Sequence, residues 1–337
     1  MATDCYFIRI SGVHEHPNAE KLDIGYANNW QVVIPKDTWV NGELGLYICP
    51  DATLPDDKDW VTPYLGYLGR QNRVKIIKLR GEYSNGILLK FDEIKSYFDA
   101  FCPESIEELE PEVIAQVLGI KHYAPPMPND LSIAFGGLPY NLNKTDEENW
   151  ESLKDKDLHL GERALVTKKM DGCSATYIAT PEGEFVCCGR RFTYKNECEN
   201  RYTNVGLNQV YEPLIAYAKK HNKIIAVRGE ITGQGIQSFG INQDSKGPLT
   251  FNLFNCTFPD EPDPKVRKGC WGQWSHFLEV NKELGLKTVP ILGEVIITKE
   301  LLKSYQNAPA SEGEGVVLNF AEGSYKAKSA EYYSKIK

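Results

Sequence analysis

The sequence predicts an α+β protein in two parts: a small N-terminal β-barrel of the OB-fold kind, then a mixed α/β domain with antiparallel sheets. Three observations predict it. Short alternating runs separated by turn residues fill the chain from Cys5 to about Phe91. A proline-dense run, His122-Tyr123-Ala124-Pro125-Pro126-Met127-Pro128, then cannot continue a helix. From about Pro139 onward, strand-like and helix-like patterns alternate.

In the first part, Tyr6–Ile10, Trp30–Ile34, Gly45–Ile48 and Arg73–Ile77 have strand character, with Pro, Gly, Asn and Asp in the gaps. About five such strands in that length suit a Greek-key barrel. Phe98 to Leu118 reads as helix in pieces, with Pro103 and Pro111 placed to open helical turns. The expected boundaries are 1–95 for the barrel, 96–138 for a helical and proline-rich linker, and 139–337 for the second domain. There, strands are expected at Ala164–Thr167, Ala175–Ala179, Phe185–Cys188, Ile224–Val227, Thr250–Phe254 and Gly315–Asn319. Helical stretches are expected at Gln209–Lys220 and His276–Leu284, and no fixed-period repeat is visible.

Composition narrows the function classes. With 337 residues, 42% hydrophobic and 25% charged, the chain can fold around two cores. No apolar run reaches membrane-spanning length, and Met1-Ala2-Thr3-Asp4-Cys5 lacks the regions of a signal peptide. An intracellular protein, cytoplasmic or nuclear and not secreted, is expected. The nine cysteines are odd in number and scattered without a C-x-x-C pair, which points to free thiols and away from zinc. Adjacent Cys187 and Cys188 in a strand would face opposite ways. His14-Glu15-His16 reads as a solvated loop rather than a metal-ligand pair. The net charge is −8, with acid concentrated from Asp92 through Glu104, Glu107, Glu108, Glu110 and Glu112, a run that suits a solvated helix face. Such a total leaves a local basic groove open. The P-loop pattern and a G-x-G-x-x-G opening a helix are both missing from the sequence.

The chemistry centres on Lys169-Met170-Asp171-Gly172, between the β-prone runs Ala164–Lys168 and Cys173–Tyr177. A lysine at a strand end before Asp-Gly suits an amine that attacks phosphorus, provided it can lose its proton. Nearby cations and burial lower a lysine pKa, and Lys168, Arg190, Lys326 and Lys328 are candidates to do so. Short strings of this kind also mark ordinary turns. The partner segments, in order, are Gly189-Arg190-Arg191, Arg228-Gly229-Glu230-Ile231, Phe251-Asn252-Leu253-Phe254, Glu314-Gly315-Val316-Val317 and Tyr325-Lys326-Ala327-Lys328.

Each partner has a chemical reason. Glu230 ends an apolar run beside Gly233 and Gly235, where a carboxylate can hold a ribose hydroxyl or a hydrated metal. Glu314 stands similarly at the mouth of a buried strand, with Glu312 near enough to compete. Lys326 and Lys328 share a strand face, which an anionic phosphate between them would relieve; a solvated edge strand is the alternative. Phe251 and Phe254 have opposite parity, so one is expected to stack on a base and the other to enter the core, with Phe251 expected at the base. Arg190 and Arg191 also face opposite ways, and motif order favours Arg190 for phosphate or sugar.

Together these residues resemble the covalent nucleotidyltransferases, the superfamily of polynucleotide ligases and mRNA capping enzymes. The likeness spans about Lys144 to Ser329. It implies a nucleotidyltransferase (adenylyltransferase) domain in which Lys169 becomes a lysyl-nucleotide. By the same resemblance Lys168, Asp171, Gly172, Arg190, Glu230, Phe251, Glu314, Lys326 and Lys328 bind the nucleotide. Asp171, Glu230 and Glu314 would then order a metal through its waters.

Within the superfamily the chain resembles ATP-dependent RNA ligases of the Naegleria-type branch, which carry an N-terminal OB domain. His16-Pro17-Asn18-Ala19-Glu20-Lys21-Leu22, Arg73–Gly81, Leu118–Tyr123, Lys144-Thr145-Asp146-Glu147 and Gly229–Gln237 carry that likeness. It implies ATP and Mg²⁺ or Mn²⁺ as cofactors, RNA as partner (a nicked duplex, or 3′-hydroxyl and 5′-phosphate ends), no membrane and a monomer. The OB domain is expected to act during enzyme adenylylation, helping to hold the departing pyrophosphate. The implied reaction repairs RNA in three steps: lysyl-AMP, RNA-adenylate, sealed strand. Two positions depart from the pattern: Lys168 stands where many relatives have glutamate, and Asn149 where the branch often has arginine. The chain stops shortly after Lys328, where capping enzymes and DNA ligases typically carry a further OB domain. The alternatives are a capping guanylyltransferase and a non-catalytic OB-type RNA-binding protein.

Overall fold

The computed structural model describes residues 4–101, 103–123, 134–140, 142, 147–237, 240–261, 274–320 and 323–335. The expected proline-rich run beyond Tyr123 and the segment Lys144-Thr145-Asp146 lie outside the described residues. The chain divides into two compact units: Met1–Pro126 together with Trp150–Leu158, and Met127–Asn149 together with His159–Ile336.

The first unit is built from short strands in chain order: β1 (Cys5–Arg9), β2 (Ser11–Glu15), β3 (Leu22–Ala27), β4 (Trp30–Pro35), β5 (Leu44–Ile48), β6 (Ala52–Thr53), β7 (Ile76–Leu79), β8 (Glu82–Asn85), β9 (Ile87–Lys90) and β10 (Lys121–His122). They pair antiparallel as β1-β5-β9, β2-β3-β4, β7-β8 and β10-β6. The alternation that announces these strands in sequence places Trp30, Val32 and Ile34 of β4 inside, with Gln31 and Val33 half-buried between them. Tyr47 is fully buried, and its hydroxyl is satisfied by the Asn85 carbonyl at 2.8 Å.

The stretch after β9, expected as a linker, contributes Phe98, Ile106, Ile114, Leu118 and Ile120 to the core shared by Leu46, Ile48 and Leu89. Its helix Pro111–Leu118 opens on the expected proline and closes on Gly119 in the left-handed conformation. The expected acidic face is exposed at Asp92, Glu93, Glu107, Glu108, Glu110 and Glu112. Trp150–Leu158 belongs to this unit through the Trp30 indole, which donates to Ser152 Oγ at 3.2 Å, and Asn29, which donates to the Leu153 carbonyl. One local expectation is corrected. His14 lies in β2, and His16 is buried, its Nε2 against the Leu79 carbonyl at 3.1 Å and its Nδ1 accepting from the Asn18 amide. His16 thus closes a turn rather than standing in solvent.

The second unit is organised by two sheets. Its strands are β11 (Ala134–Gly136), β12 (Glu148–Asn149), β13 (Arg163–Lys168), β14 (Cys173–Ala179), β15 (Phe185–Cys188), β16 (Thr193–Tyr194), β17 (Ile225–Thr232), β18 (Thr250–Thr257), β19 (Ile291–Ile296), β20 (Gly315–Phe320) and β21 (Gly323–Lys328). One sheet runs β11-β16-β15-β14-β17-β18 and the other β12-β21-β20-β13-β19. Pairing is antiparallel throughout, except that β12 runs parallel to β21.

One face of the six-stranded sheet carries the main core: Tyr177, Val227, Ile231 and Leu253 pack with Leu214 and Ala218 of the helix Tyr211–His221 and Phe277 of the helix Trp274–Leu284. Cys187 faces that core and Cys188 the opposite cluster with Ile178 and Ala226, as strand parity requires. Every cysteine among the described residues is a free thiol. No helix among them is long and apolar enough to cross a membrane. Leu253 is fully buried, and its backbone bonds Lys287 and Val289. Leu253→Ala is expected to cost about 2–5 kcal/mol, read as a lowered urea midpoint; a midpoint unchanged from the parent would show that this face is not packed.

Candidate active site

Lys169 lies where the chain crosses from one sheet to the other. β13 belongs to the five-stranded sheet and β14 to the six-stranded one, so the four residues between them form the crossover. The Lys168 amide bonds the Pro290 carbonyl and the Lys169 amide bonds the Gly315 carbonyl, each at 2.9 Å. On the other side Gly172 lies against β17: a Cβ there would stand 2.2 Å from the Ile231 carbonyl oxygen. Gly315 has φ +142, and a Cβ there would meet the Ala327 carbonyl oxygen at 2.2 Å. Both glycines of the motifs are required by close backbone approach.

The crossover brings carboxylates from both sheets to one amine. Lys169 Nζ bonds Glu314 Oε1 at 2.5 Å, and the Glu314 side chain is 7% exposed. Glu314 immediately precedes β20, and its carbonyl accepts from the Ser329 amide at 3.0 Å. Glu230 comes from β17, opposite Ser174 and Asn252 in the neighbouring strands. Burial works against charge on Lys169, but Glu314 outweighs it, with Glu230 and Glu147 adding to the effect, and the lysine pKa lies above its ordinary value. This corrects the expectation that burial and nearby cations lower the lysine pKa. Lys168 is instead taken up by Asp244 at 2.6 Å, and the Lys328 ammonium lies over the Tyr333 ring at 4.1 Å. Burial pushes the Asp171 carboxyl up to about 6, reinforced by Glu314 and opposed by Tyr332 and Lys169.

Other expected residues fall into place unevenly. Of the two competing acids, Glu312 is exposed and Glu314 meets the amine. Lys326 and Lys328 share a face of β21, opposite Val317 and Gly315. Arg190 is exposed in the turn closed by the Gly189 amide and the Phe192 carbonyl; Arg191 is half-buried. The aromatic pair is reversed from expectation. Phe251 pairs with Ile231, is 2% exposed and packs edge-on against Tyr177, whereas Phe254 follows Asn252 by two residues on the face of Glu230 and is half-buried. The apolar face of the helices beneath the sheet claims Phe251, a choice that parity alone could not make.

Four contributors were missed by the sequence reading. Asp244 holds Lys168 and accepts from the Asp171 amide at 3.3 Å, while buried Asn242 donates to the Asp171 carbonyl at 3.1 Å. Tyr332 donates to Asp171 Oδ2 at 2.5 Å, and Tyr333 donates to Glu314 Oε1. The Asn-x-Asp spacing of a capping turn was a visible signal for the first pair. The adjacent tyrosines carry no comparable signal, since two aromatics near a strand end ordinarily pack.

The electrostatics make a test possible. Burial pushes the Glu230 carboxyl from 4.5 up to about 8; Lys169 opposes this, while Glu314, Asp171 and Glu147 add to it. Between those values the folded chain retains a proton that the unfolded chain has lost, so stability falls as pH rises through the window. Glu230→Gln cannot ionise and should lose that slope. Its urea midpoint, measured without nucleotide or metal, is expected to gain on the parent's as pH rises from about 5 to about 9; midpoints that stay parallel would refute the shift.

Comparison with known proteins supplies the family. A model described as RNA ligase matches residues 162–336, and one described as an OB-fold domain matches residues 6–91. Among solved structures the chain is similar to Naegleria gruberi RNA ligase with PPi, at 23% identity over 99% of each chain and a TM-score of 0.81. A lysine-to-alanine mutant of that ligase with ATP and Mn matches at 23% identity over 98% of each chain, TM-score 0.80. A glutamate-to-alanine mutant with AMP and Mn matches at 22% identity over 99% of this chain and 98% of that one, TM-score 0.80. No curated protein matches. The structural likeness establishes the fold, OB domain first and mixed α/β ligase domain second; the family model covers the strands that carry Lys169, Glu230, Glu314 and Lys328. The chain belongs to the RNA ligase family.

Proposed function

We propose that the chain is an ATP-dependent RNA ligase that joins 3′-hydroxyl and 5′-phosphate RNA ends through lysyl-AMP and RNA-adenylate intermediates. The observation that carries this reading is the Lys169 amine, hydrogen-bonded to Glu314 at the crossover of two sheets and under the influence of Glu230 and Glu147. Membership of the RNA ligase family and the likeness to Naegleria gruberi RNA ligase with ATP and Mn, and with AMP and Mn, support it.

Lys169 attacks the α-phosphorus of ATP; the P–N bond forms as the P–O bond to pyrophosphate breaks. The amine must first lose a proton, and Glu314 Oε1 already accepts one of its hydrogens. AMP then passes to the RNA 5′-phosphate, and attack by the 3′-hydroxyl seals the strand and releases AMP. Lys326 and Lys328, on one strand face, are assigned to the phosphates. Glu230 is assigned to the ribose or the metal, Arg190 to phosphate or sugar, and Lys168 with Gly172 to the nucleotide. With Phe251 in the core, we assign base stacking to Phe254.

The acids suit a hard divalent cation, Mg²⁺ or Mn²⁺, because all their donors are oxygen. Among the described residues no group of three or more His, Cys, Asp or Glu is placed to ligate an ion directly. Asp171, Glu230 and Glu314 would therefore hold the ion through its waters. Bound there, it would supply positive charge that eases both lysine deprotonation and pyrophosphate departure. The OB domain is assigned to the pyrophosphate during this step. The free thiols among the described cysteines support an intracellular setting.

Incubation with radiolabelled ATP or GTP, followed by denaturing electrophoresis, tests the reading. A covalent AMP adduct is expected on the parent and none on Lys169→Ala, with sealing of a nicked RNA duplex lost in parallel. A GMP adduct without AMP would make the chain a capping enzyme. RNA binding with no adduct, indifferent to Lys169→Ala, would make it a binding module.

A further inference from the structure

Two consecutive tyrosines on the helix Ala330–Lys335 reach into the site from its far side. The start of that helix is tied to the site by Ser329, which is fully buried. Its amide bonds the Glu314 carbonyl at 3.0 Å, its hydroxyl bonds the Ala308 carbonyl at 2.7 Å, and the same hydroxyl accepts from the Tyr332 amide at 3.1 Å. Glu331 adds a further tie by accepting from the Ala310 amide at 3.2 Å. The helix is thus anchored to the backbone that carries Glu314.

Successive helical residues project about 100° apart, so neighbours can reach different targets. Tyr332, 1% exposed, donates to Asp171 Oδ2 at 2.5 Å. Tyr333 donates to Glu314 Oε1, the same oxygen that accepts from Lys169 Nζ, and its ring lies beneath the Lys328 ammonium. Two of the acids around the amine, Asp171 and Glu314, therefore each have a phenol on one oxygen. We propose that Tyr332 and Tyr333 are positioning residues whose hydroxyls fix the Asp171 and Glu314 carboxylates around the Lys169 amine.

The physical reason is that a carboxylate has several ways to meet an ammonium and only some of them suit proton transfer. A phenol donating to Glu314 Oε1 shares the lone pairs of that oxygen, so Lys169 is bonded without the full strength of an undivided ion pair. At Asp171 the phenol bond selects one rotamer of the carboxylate. The Tyr333 ring also sets the height of Lys328, one of the two lysines assigned to the phosphates. The proposal rests on the nucleophile reading of Lys169.

Phenylalanine separates the hydroxyl from the ring. Tyr332→Phe and Tyr333→Phe keep the packing and remove the bond; the matching alanine variants remove both. Each phenylalanine variant is expected to form lysyl-AMP about tenfold more slowly at saturating ATP, as loss of a charge-assisted hydrogen bond implies. Half-saturation by ATP should move less than about threefold and the unfolding midpoint should stay near the parent's. In crystals grown without nucleotide, the Asp171 or Glu314 carboxylate should turn from its present position. Parent-like rates and unmoved carboxylates in the phenylalanine variants, with losses confined to alanine, would overturn the proposal and leave the tyrosines as packing. If the parent itself forms no lysyl-nucleotide, the nucleophile reading fails, and the carboxylate positions still decide this one.

Discussion

A half-buried ammonium paired with a buried carboxylate is the interaction on which the arrangement of the second unit depends. Lys169 lies in the crossover after β13 and Glu314 just before β20, separated by 145 positions in the chain, yet they meet at hydrogen-bond distance. Such a pair adds little net stability, because removing both charges from water offsets most of their attraction. Its value lies in what it leaves ready. An amine kept close to an acid in the low-dielectric interior can shift its proton when another charge enters, whereas a solvated lysine would remain a cation.

The crossover explains how so many charged groups can be gathered without disrupting the core. The five-stranded sheet contributes Glu314, Lys326 and Lys328, and the six-stranded sheet contributes Glu230 and Asn252, while Lys169 to Gly172 join the two. On the six-stranded sheet, the main hydrophobic packing lies on the helix-covered face. Its other face is free to carry polar side chains such as Asn252, which bonds the Glu230 carbonyl and Thr232. The same division places Phe251 among apolar neighbours and Phe254 toward Glu230. Sheet parity is therefore both a packing device and a way to sort groups by chemistry.

The supports around the motif are as specific as the motif. Asn242 and Asp244 hold the Asp171 carbonyl and amide, and Asp244 also takes up Lys168. Lys168 stands where many relatives have an acid, and in this chain the acid reaches the same locality from a separate loop. The excess of carboxylates near Lys169 is consistent with a partner that carries cations into the site. The proposed ATP with a divalent metal would do so, and the ionic balance of the site would then differ before and after nucleotide entry.

Much of this was legible in the amino acids. Periodicity marked the strands of both units, and the ordered motifs around Lys169, Glu230, Glu314 and Lys328 identified the chemistry, because each needs a particular residue type next to a glycine or a strand end. Local pattern could also say that Cys187 and Cys188 face apart. It could not say which face of β18 is covered by helices, so Phe251, expected at the base, proved to lie in the core. Nor could it foresee that Glu314 and Glu230 raise the Lys169 pKa, or that Tyr332 and Tyr333 bond the acids. The sequence by itself determined the elements, the family resemblance and the lysine proposed as nucleophile, since these rest on neighbours along the chain. Only the tertiary structure decided burial, charge balance and hydrogen-bond partners, because those depend on segments that meet solely when the two sheets pack.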